Sequence, residues 1–303
     1  FTVSVHTEDK PMERDKLTEA VRDTNGLMSM ITDNVNEDLM CRAPYLEMIA
    51  NMAVGYNNID VDAATRRGLP VSNTPGVLTD TTADVAFTLI LSAARRVVEG
   101  DRMVREGRFR YWAPFLFLGT EVTGKTLGII GMGRIGKAVA RRAGGFNMRI
   151  VYHNRQRLDS REEQDINAEY ADMQTLLASA DFISVHVPLS AETRHLIGKK
   201  ELSMMKRTAF LINTSRGPVV DETALVDALR EKVIAGAGLD VYENEPAIAP
   251  GLDKLENVVL LPHVGSATLE TRTKMAVMAA ENLIAGLSGR TPPNLVNPEV
   301  LSR

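Results

Sequence analysis

Apolar positions along the chain change their rhythm. Over residues 1–72 they come in short stretches separated by polar, helical ones. Leu27-Met-Ser-Met-Ile31 and Tyr45-Leu-Glu-Met-Ile-Ala50 predict strands, as does the opening Phe1-Thr-Val-Ser-Val-His6. Residues 60–68 predict a short helix stopped by Gly68. Leu69-Pro-Val-Ser-Asn-Thr-Pro-Gly76 predicts a strand leaving into a turn. From residue 81 to about 108 the pattern is helical, with Val85, Leu89, Ala93 and Val97 forming one apolar stripe at a spacing of four. The aromatic-rich stretch 109–117, with Tyr111, Trp112 and Pro114, predicts a loop.

Beyond Gly124 strands and helices alternate. Residues 126–130 predict a strand, 134–143 a helix and 148–152 a second strand. Further strands are predicted at 181–187, 208–213, 234–241 and 258–261, with a helix at 222–232 between two of them. Such alternation predicts a parallel sheet covered on both faces, an α/β fold. A last long helix is predicted over 268–287, with Ala276, Ala279, Ala280, Leu283 and Leu287 on one side, and 291–298 is extended.

The chain has 303 residues, more than one core usually serves, which favours two domains. Its 35 basic and 39 acidic residues leave a net charge of −4, without the basic excess of a nucleic-acid binder. No apolar run is long enough to span a bilayer, so no membrane partner is expected. Cys41 is the single cysteine, which rules out an internal disulfide and a cysteine metal cluster and fits a reducing, cytoplasmic setting. No metal site is expected. The first residues are neither a signal peptide nor an initiator methionine and read as a strand cut from something longer.

Gly131-Met-Gly-Arg-Ile-Gly136 is G-x-G-x-x-G between a predicted strand and a predicted helix. The first glycine permits a tight turn, the second lets backbone approach a pyrophosphate, and the third lets helix and strand pack closely. The helix N-terminus then offers free N–H groups to the anion. An NAD binder usually carries Asp or Glu about 20 residues past the loop. Here Tyr152-His-Asn-Arg-Gln-Arg157 has none, and Arg155 and Arg157 are instead candidates for the 2′-phosphate of NADP. NADP(H) is therefore the preferred cofactor and NAD(H) the alternative. One charge-assisted bond of roughly 1.5–3 kcal/mol corresponds to a preference of about ten- to hundredfold.

Three later motifs each end a predicted strand: Asn213-Thr-Ser-Arg-Gly217, Asp240-Val-Tyr-Glu-Asn-Glu-Pro246 and Pro262-His-Val-Gly-Ser-Ala-Thr268. Ligands of open parallel sheets bind at the carboxyl ends of strands, so Arg216, Glu245 and His263 are placed to share one crevice. Reducing a carbonyl needs a hydride and a proton. His263 can supply the proton, Glu245 can orient the imidazole, and Arg216 can bind a carboxylate and polarise the neighbouring carbonyl.

These residues, over essentially the whole chain, resemble the D-isomer-specific 2-hydroxyacid dehydrogenase family. Asn51-Met-Ala-Val-Gly-Tyr-Asn-Asn-Ile-Asp60 is similar to that family's substrate-carboxylate loop, which implies that the Val54 and Gly55 N–H groups bind the acid. Asn73-Thr-Pro-Gly76 and Thr82-Ala-Asp-Val-Ala-Phe87 are similar to its domain junction. The resemblance implies Arg216 on substrate, Glu245 paired with His263, His263 as proton donor, and Asp240 on the nicotinamide amide. It adds Ser266 and Trp112 to the substrate site. To the cofactor site it adds Thr82, Arg134, Ile135, Asn154, Val187, Pro188, Thr193, Thr214, Ser215, Gly265 and His263, beside Gly131, Gly133, Gly136, Arg155 and Arg157.

Within the family the likeness is greatest to glyoxylate/hydroxypyruvate reductases, through the 51–56 stretch, Trp112-Ala-Pro-Phe-Leu-Phe-Leu-Gly119 and the arginines after Tyr152. The implied fold is two doubly wound parallel-sheet domains. Residues 77–267 form a Rossmann cofactor domain with a dimerisation arm at about 95–124, and residues 1–76 with 268–303 form a flavodoxin-like substrate domain. A homodimer acting on a small 2-oxo or 2-hydroxy acid is implied, with Trp112 reaching the neighbouring subunit's site. The family normally has a further strand and helix, about 20–30 residues, ahead of the segment matching Phe1. Two other activities fit the same motifs: another 2-oxo acid reductase, such as a phosphoglycerate-type dehydrogenase, and a non-enzymatic cofactor sensor. Formate dehydrogenases carry glutamine where Glu245 stands.

Overall fold

Short apolar runs become strands here only where a neighbour completes the ladder. The computed structural model describes residues 1–302, in two units: Phe1–Leu78 together with the stretch from Thr268 on, and Thr79–Ala267. In the first unit α1 (Arg14–Val21), β1 (Gly26–Ser29), α2 (Glu37–Cys41), β2 (Met48–Asn51), α3 (Val61–Arg66) and β3 (Val71–Ser72) alternate. The strands form a parallel sheet in the order β1-β2-β3, with Leu27 opposite Ile49 and Ile49 opposite Val71. All four residues of β2 are buried, as expected for a central strand covered on both faces. Leu17, Val21, Leu39, Met40 and Ala63 of the helices pack with Ile49 and Val71. Asn36 and Asp60 cap α2 and α3 by accepting the N–H groups of Leu39 and Ala63.

The second unit opens with α4 (Thr79–Arg95) and α5 (Val97–Arg105). It continues with β4 (Thr126–Ile130), α6 (Arg134–Gly144), β5 (Arg149–His153), α7 (Ser160–Asp165), β6 (Ala168–Tyr170), α8 (Met173–Ser179) and β7 (Phe182–Val185). Then come α9 (Lys199–Met204), β8 (Phe210–Asn213), α10 (Glu222–Arg230), β9 (Gly236–Leu239) and β10 (Val258–Leu260). These seven strands form one parallel sheet, ordered β10-β9-β8-β7-β4-β5-β6. The order reverses beside β4, where dinucleotides bind in such sheets. Successive residues face opposite cores. Ile129 and Phe182 pack with α4 and α6, whereas Ile130 and Ile183 pack with α8, α9 and α10.

The chain then returns to the first unit as α11 (Leu269–Leu287), capped by Thr268. Met48 and Ala50 of β2 pack against its Ala279. A Cβ at Gly286 would come within 2.8 Å of Met48 Sδ, which shows how closely helix and strand approach.

Three expectations need correction. Residues 1–7 form no strand, and Phe1, Val3 and Val5 are 80%, 76% and 70% exposed. Alternating apolar residues make a strand only when backbone groups find a ladder, and among the described residues none pairs with this segment. The helix predicted over 81–108 is two helices, because Arg96 turns into the left-handed region (φ 55°). Contacts distant in sequence hold that break. The Arg96 guanidinium lies 4.2 Å from the Phe117 ring centroid and donates to Leu118 O at 3.2 Å, and Thr120 N–H donates to Ala94 O at 2.7 Å. The apolar stripe is wider than predicted and ends earlier: Leu89 is buried and Val85 and Ala93 pack on the core, as expected, but Ala83, Ala86, Phe87, Ile90 and Ala94 are buried too, and Val97 is 52% exposed. A true helical repeat of about 3.6 drifts away from a strict spacing of four. Finally, α7, β6, α8 and α9 lie in stretches for which no element was predicted; all are short.

Candidate active site

The glycine loop follows β4 directly. Gly131 has φ 96°, and a Cβ there would sit 2.8 Å from the His186 carbonyl carbon at the end of β7. Gly136 meets Gly131 O: a Cβ would be 2.5 Å from it. At Gly133 an added Cβ would meet nothing within 4 Å, and no side chain caps α6, which starts at Arg134 with Ile135 next. The loop is tied to the end of β5, since Gly131 N–H donates to His153 O at 3.0 Å and Met132 N–H to Asn154 Oδ1 at 2.7 Å.

Past β5, Arg155 is exposed, and Arg157 pairs with both oxygens of Glu163 at 2.8 Å. Glu163 also accepts the hydroxyl of fully buried Tyr152 at 2.6 Å. These two bonds, Arg157 first, hold the Glu163 carboxyl down at about 2, whereas burial and then Glu163 push the Tyr152 hydroxyl up to about 12. Glu163 and Tyr152 were not among the residues singled out from sequence.

The loops after β8, β9 and β10 meet. His263 Nδ1–H donates to Glu245 Oε2 at 2.8 Å, and Tyr242 N–H donates to Glu245 Oε1 at 3.0 Å. Burial raises the Glu245 carboxyl, but the His263 bond and charge, the Tyr242 N–H and the Arg216 charge together hold it below its ordinary value. Burial lowers the Arg216 guanidinium, and the charge of Glu245 opposes that. One Arg216 nitrogen donates to Ser215 O at 2.7 Å. The Arg216 loop reaches Glu245 because Gly217 lies against the backbone of Tyr242, where a Cβ would fall 1.9 Å from the carbonyl carbon.

Buried Asp240 accepts Val264 N–H at 2.7 Å and Gly265 N–H at 2.8 Å, so it holds the turn that presents His263. Burial raises its carboxyl despite those bonds. His263 itself has φ 54°, an uncommon conformation for a residue with a side chain. Its side chain stays 32% exposed with Nδ1 engaged, which leaves Nε2 for a ligand.

The other predicted residues lie in several places. Thr82 Oγ1 donates to Gly265 O at 3.0 Å, and Ser215 Oγ to Asn213 Oδ1 at 2.8 Å. Val187 packs on the glycine loop, Thr193 Oγ1 bonds Pro188 O at 2.7 Å, and Ser266 is half-buried in the His263 turn. Thr214 Oγ1 is buried with no hydrogen-bond partner, an open position for a polar ligand group. That orphan and the space at Gly133 fit a nicotinamide dinucleotide along the carboxyl ends of the strands. Val54 and Gly55 belong to the first unit, where their carbonyls accept from Asn73 Nδ2 at 2.8 Å and Asn51 Nδ2 at 3.1 Å. Trp112 is 78% exposed and in none of these clusters. Among the described residues no acidic, histidine or cysteine cluster could hold a metal ion, and no helix is long and apolar enough to cross a membrane.

Known proteins are similar to this chain. A family model described as "D-isomer specific 2-hydroxyacid dehydrogenase, NAD binding domain" matches residues 87–265. A glyoxylate reductase of Thermococcus litoralis is 54% identical over 306 aligned residues, covering 100% of this chain and 92% of that protein. A solved glyoxylate reductase from Paecilomyes thermophila superposes with a TM-score of 0.86 at 39% identity, covering 93% of this chain and 88% of that one. An NADPH-dependent glyoxylate/hydroxypyruvate reductase from Sinorhizobium meliloti, solved with NADP and malonate, gives a TM-score of 0.85 at 37% identity, covering 93% and 86%.

Proposed function

This chain belongs to the D-isomer specific 2-hydroxyacid dehydrogenase family, and on that premise we propose that it reduces glyoxylate to glycolate, with NADPH as the preferred hydride donor. It is an NAD(P)-dependent oxidoreductase with a Rossmann cofactor domain. The observation that carries the proposal is the His263–Glu245 pair at 2.8 Å, with Arg216 close enough for its charge to act on Glu245.

The cofactor, when bound, supplies the hydride that reaches the carbonyl carbon. The chain supplies the rest. Arg216 holds the substrate carboxylate and draws electron density from the carbonyl oxygen. His263 Nε2–H donates its proton to that oxygen as the hydroxyl forms. Glu245 keeps the ring oriented through its bond to Nδ1. Val54 and Gly55 are assigned to the substrate carboxylate on sequence likeness, as are Ser266 and Trp112 to the substrate. Hydroxypyruvate is the second substrate the motifs favour.

The NADPH preference is supported by the exposed Arg155 and by the lack of an acid at the end of β5; Arg157, the second candidate from sequence, has two of its nitrogens on Glu163. Arg155→Ala should lower the ratio of kcat/KM for NADPH over NADH by about tenfold or more. A homodimer is supported by the exposed apolar residues of the 95–124 arm, among them Val104, Tyr111, Trp112, Phe115 and Leu118. Sedimentation at several protein concentrations tests it.

The direct assay follows NADPH and NADH oxidation with glyoxylate, hydroxypyruvate and pyruvate, beside His263→Ala. Histidine-dependent turnover of glyoxylate with NADPH is the expected result. Tight cofactor binding without turnover of any pair would move the assignment to a cofactor sensor.

A further inference from the structure

We propose that Glu222 is a positioning residue for the reaction: its carboxylate ties the 242–249 loop to the start of α10 and thereby sets Glu245 against His263. The inference rests on the assignment of Glu245 and His263 made above. Nothing in the local sequence marks Glu222, since a glutamate in the first turn of a helix ordinarily complements the helix dipole from the solvent side.

This glutamate is not in solvent. It is only 5% exposed, and it exchanges hydrogen bonds with a residue far along the chain. Glu243 N–H donates to Glu222 Oε1 at 2.7 Å, and Glu222 N–H donates to Glu243 Oε1 at 2.9 Å. The Ala249 N–H also favours the charged form of Glu222, so the carboxylate addresses both ends of the loop that carries Glu245. Burial raises the Glu222 carboxyl, and the like charges of Glu243 and Glu245 add to that.

The tie extends to a third segment. His195 Nε2–H donates to Glu243 Oε2 at 3.0 Å, and His195 N–H donates to Pro218 O at 2.8 Å. His195 adopts φ 51° in doing so. Gly217 closes the same joint from the Arg216 side, leaving no room between it and Tyr242. Glu245 stands two residues beyond Glu243. A displacement of this loop by a fraction of an ångström therefore passes directly to the carboxylate that orients His263. A buried carboxylate beside two others is costly to keep, and an amide could not replace it. Glutamine at 222 has nearly the same volume, but its –NH2 would face a backbone N–H where an acceptor is needed.

The test is a pH profile of kcat and kcat/KM, from about pH 5 to 9, for the NADPH-loaded wild type, Glu222→Gln, Glu243→Gln and Glu245→Gln. The expected result for Glu222→Gln is a fall in kcat of about tenfold and an alkaline limb displaced to lower pH by about one unit. The NADPH KM should change by less than about twofold, since the cofactor loop is untouched. Glu243→Gln keeps the Glu243 N–H on Glu222 but takes the carboxylate charge and one oxygen from His195 Nε2–H, so it loosens the same joint from a half-buried side chain and should move the limb in the same direction even if Glu222→Gln does not fold. If Glu245→Gln moves the limb but neither of the other two does, Glu222 is only a structural anchor and the proposal is overturned while the catalytic pair stands. If Glu245→Gln leaves the limb in place, the assignment of the pair itself falls, and the positioning role with it.

Discussion

His263 and Glu245 are joined by a 2.8 Å hydrogen bond from Nδ1–H to Oε2, and the second Glu245 oxygen is held by Tyr242 N–H. The imidazole is thus held by Nδ1 with Nε2 left unengaged by Glu245, and Nε2 donates when the ring carries both protons. His263→Ala should lower kcat by about 10²–10⁴, a much larger effect than on cofactor affinity. Stopped-flow reduction rates together with NADPH titration of the variant check this. A variant with near-wild-type kcat and an intact fold would remove His263 from the mechanism.

Gly217 is required by proximity. An added Cβ would overlap the Tyr242 carbonyl, 1.9 Å from its carbon and 2.0 Å from its oxygen, and backbone cannot yield as a flexible side chain does. Gly217→Ala should therefore push the Arg216 and Glu245 loops apart. Overpacking of this kind costs roughly 1–3 kcal/mol. The expected signature is a lower Tm and a larger loss in kcat/KM for glyoxylate than in NADPH affinity.

Glu163 predicts a pH-dependent contribution to stability. Its carboxyl is held down at about 2 by Arg157 and Tyr152, against about 4.3 in an unfolded chain. The folded state therefore binds this proton less readily, so the contribution is complete above the unfolded value and is lost as pH falls toward 2. Tm curves of wild type and Glu163→Gln should converge as pH falls from about 5. Curves that stay parallel would show that the Arg157–Glu163–Tyr152 cluster adds nothing to stability.

His186 acts over a different range. Burial lowers its imidazole to about 4, below the unfolded value of about 6.5, and Ser184 Oγ lies 2.8 Å from Nε2. The unfolded chain takes up this proton first, so stability falls as pH drops from about 6.5 toward 4 and is level above. In His186→Gln that part of the acid slope should disappear from calorimetric Tm values. A variant with the wild-type slope would place the titration elsewhere.

How far the sequence alone reached differs from element to element. The strand at 126–130, the glycine turn and the helix from Arg134 are determined locally. A strand buried on both faces is a short apolar run, and the turn at Gly131 (φ 96°) needs a residue without a side chain. Thr268 announces α11 as its N-cap. Arg216, Glu245 and His263 could be singled out because each follows a predicted strand and their chemistries complement one another.

Other features belong to the tertiary structure. The break at Arg96 depends on Phe117 and Leu118, and the apolar Phe1–His6 segment stays unpaired because no ladder meets it among the described residues. Arg157 meets Glu163 on a carboxylate that also accepts the hydroxyl of buried Tyr152, a three-residue cluster that only folding assembles. Glu222 reads in sequence as an ordinary first-turn acid; its burial and its bond to Glu243, 21 residues away, exist only once β8 and β9 lie side by side. Periodicity and turn chemistry are properties of neighbouring residues, so the chain carries them on its face. Burial, and which carboxylate meets which N–H, depend on segments that packing alone brings together.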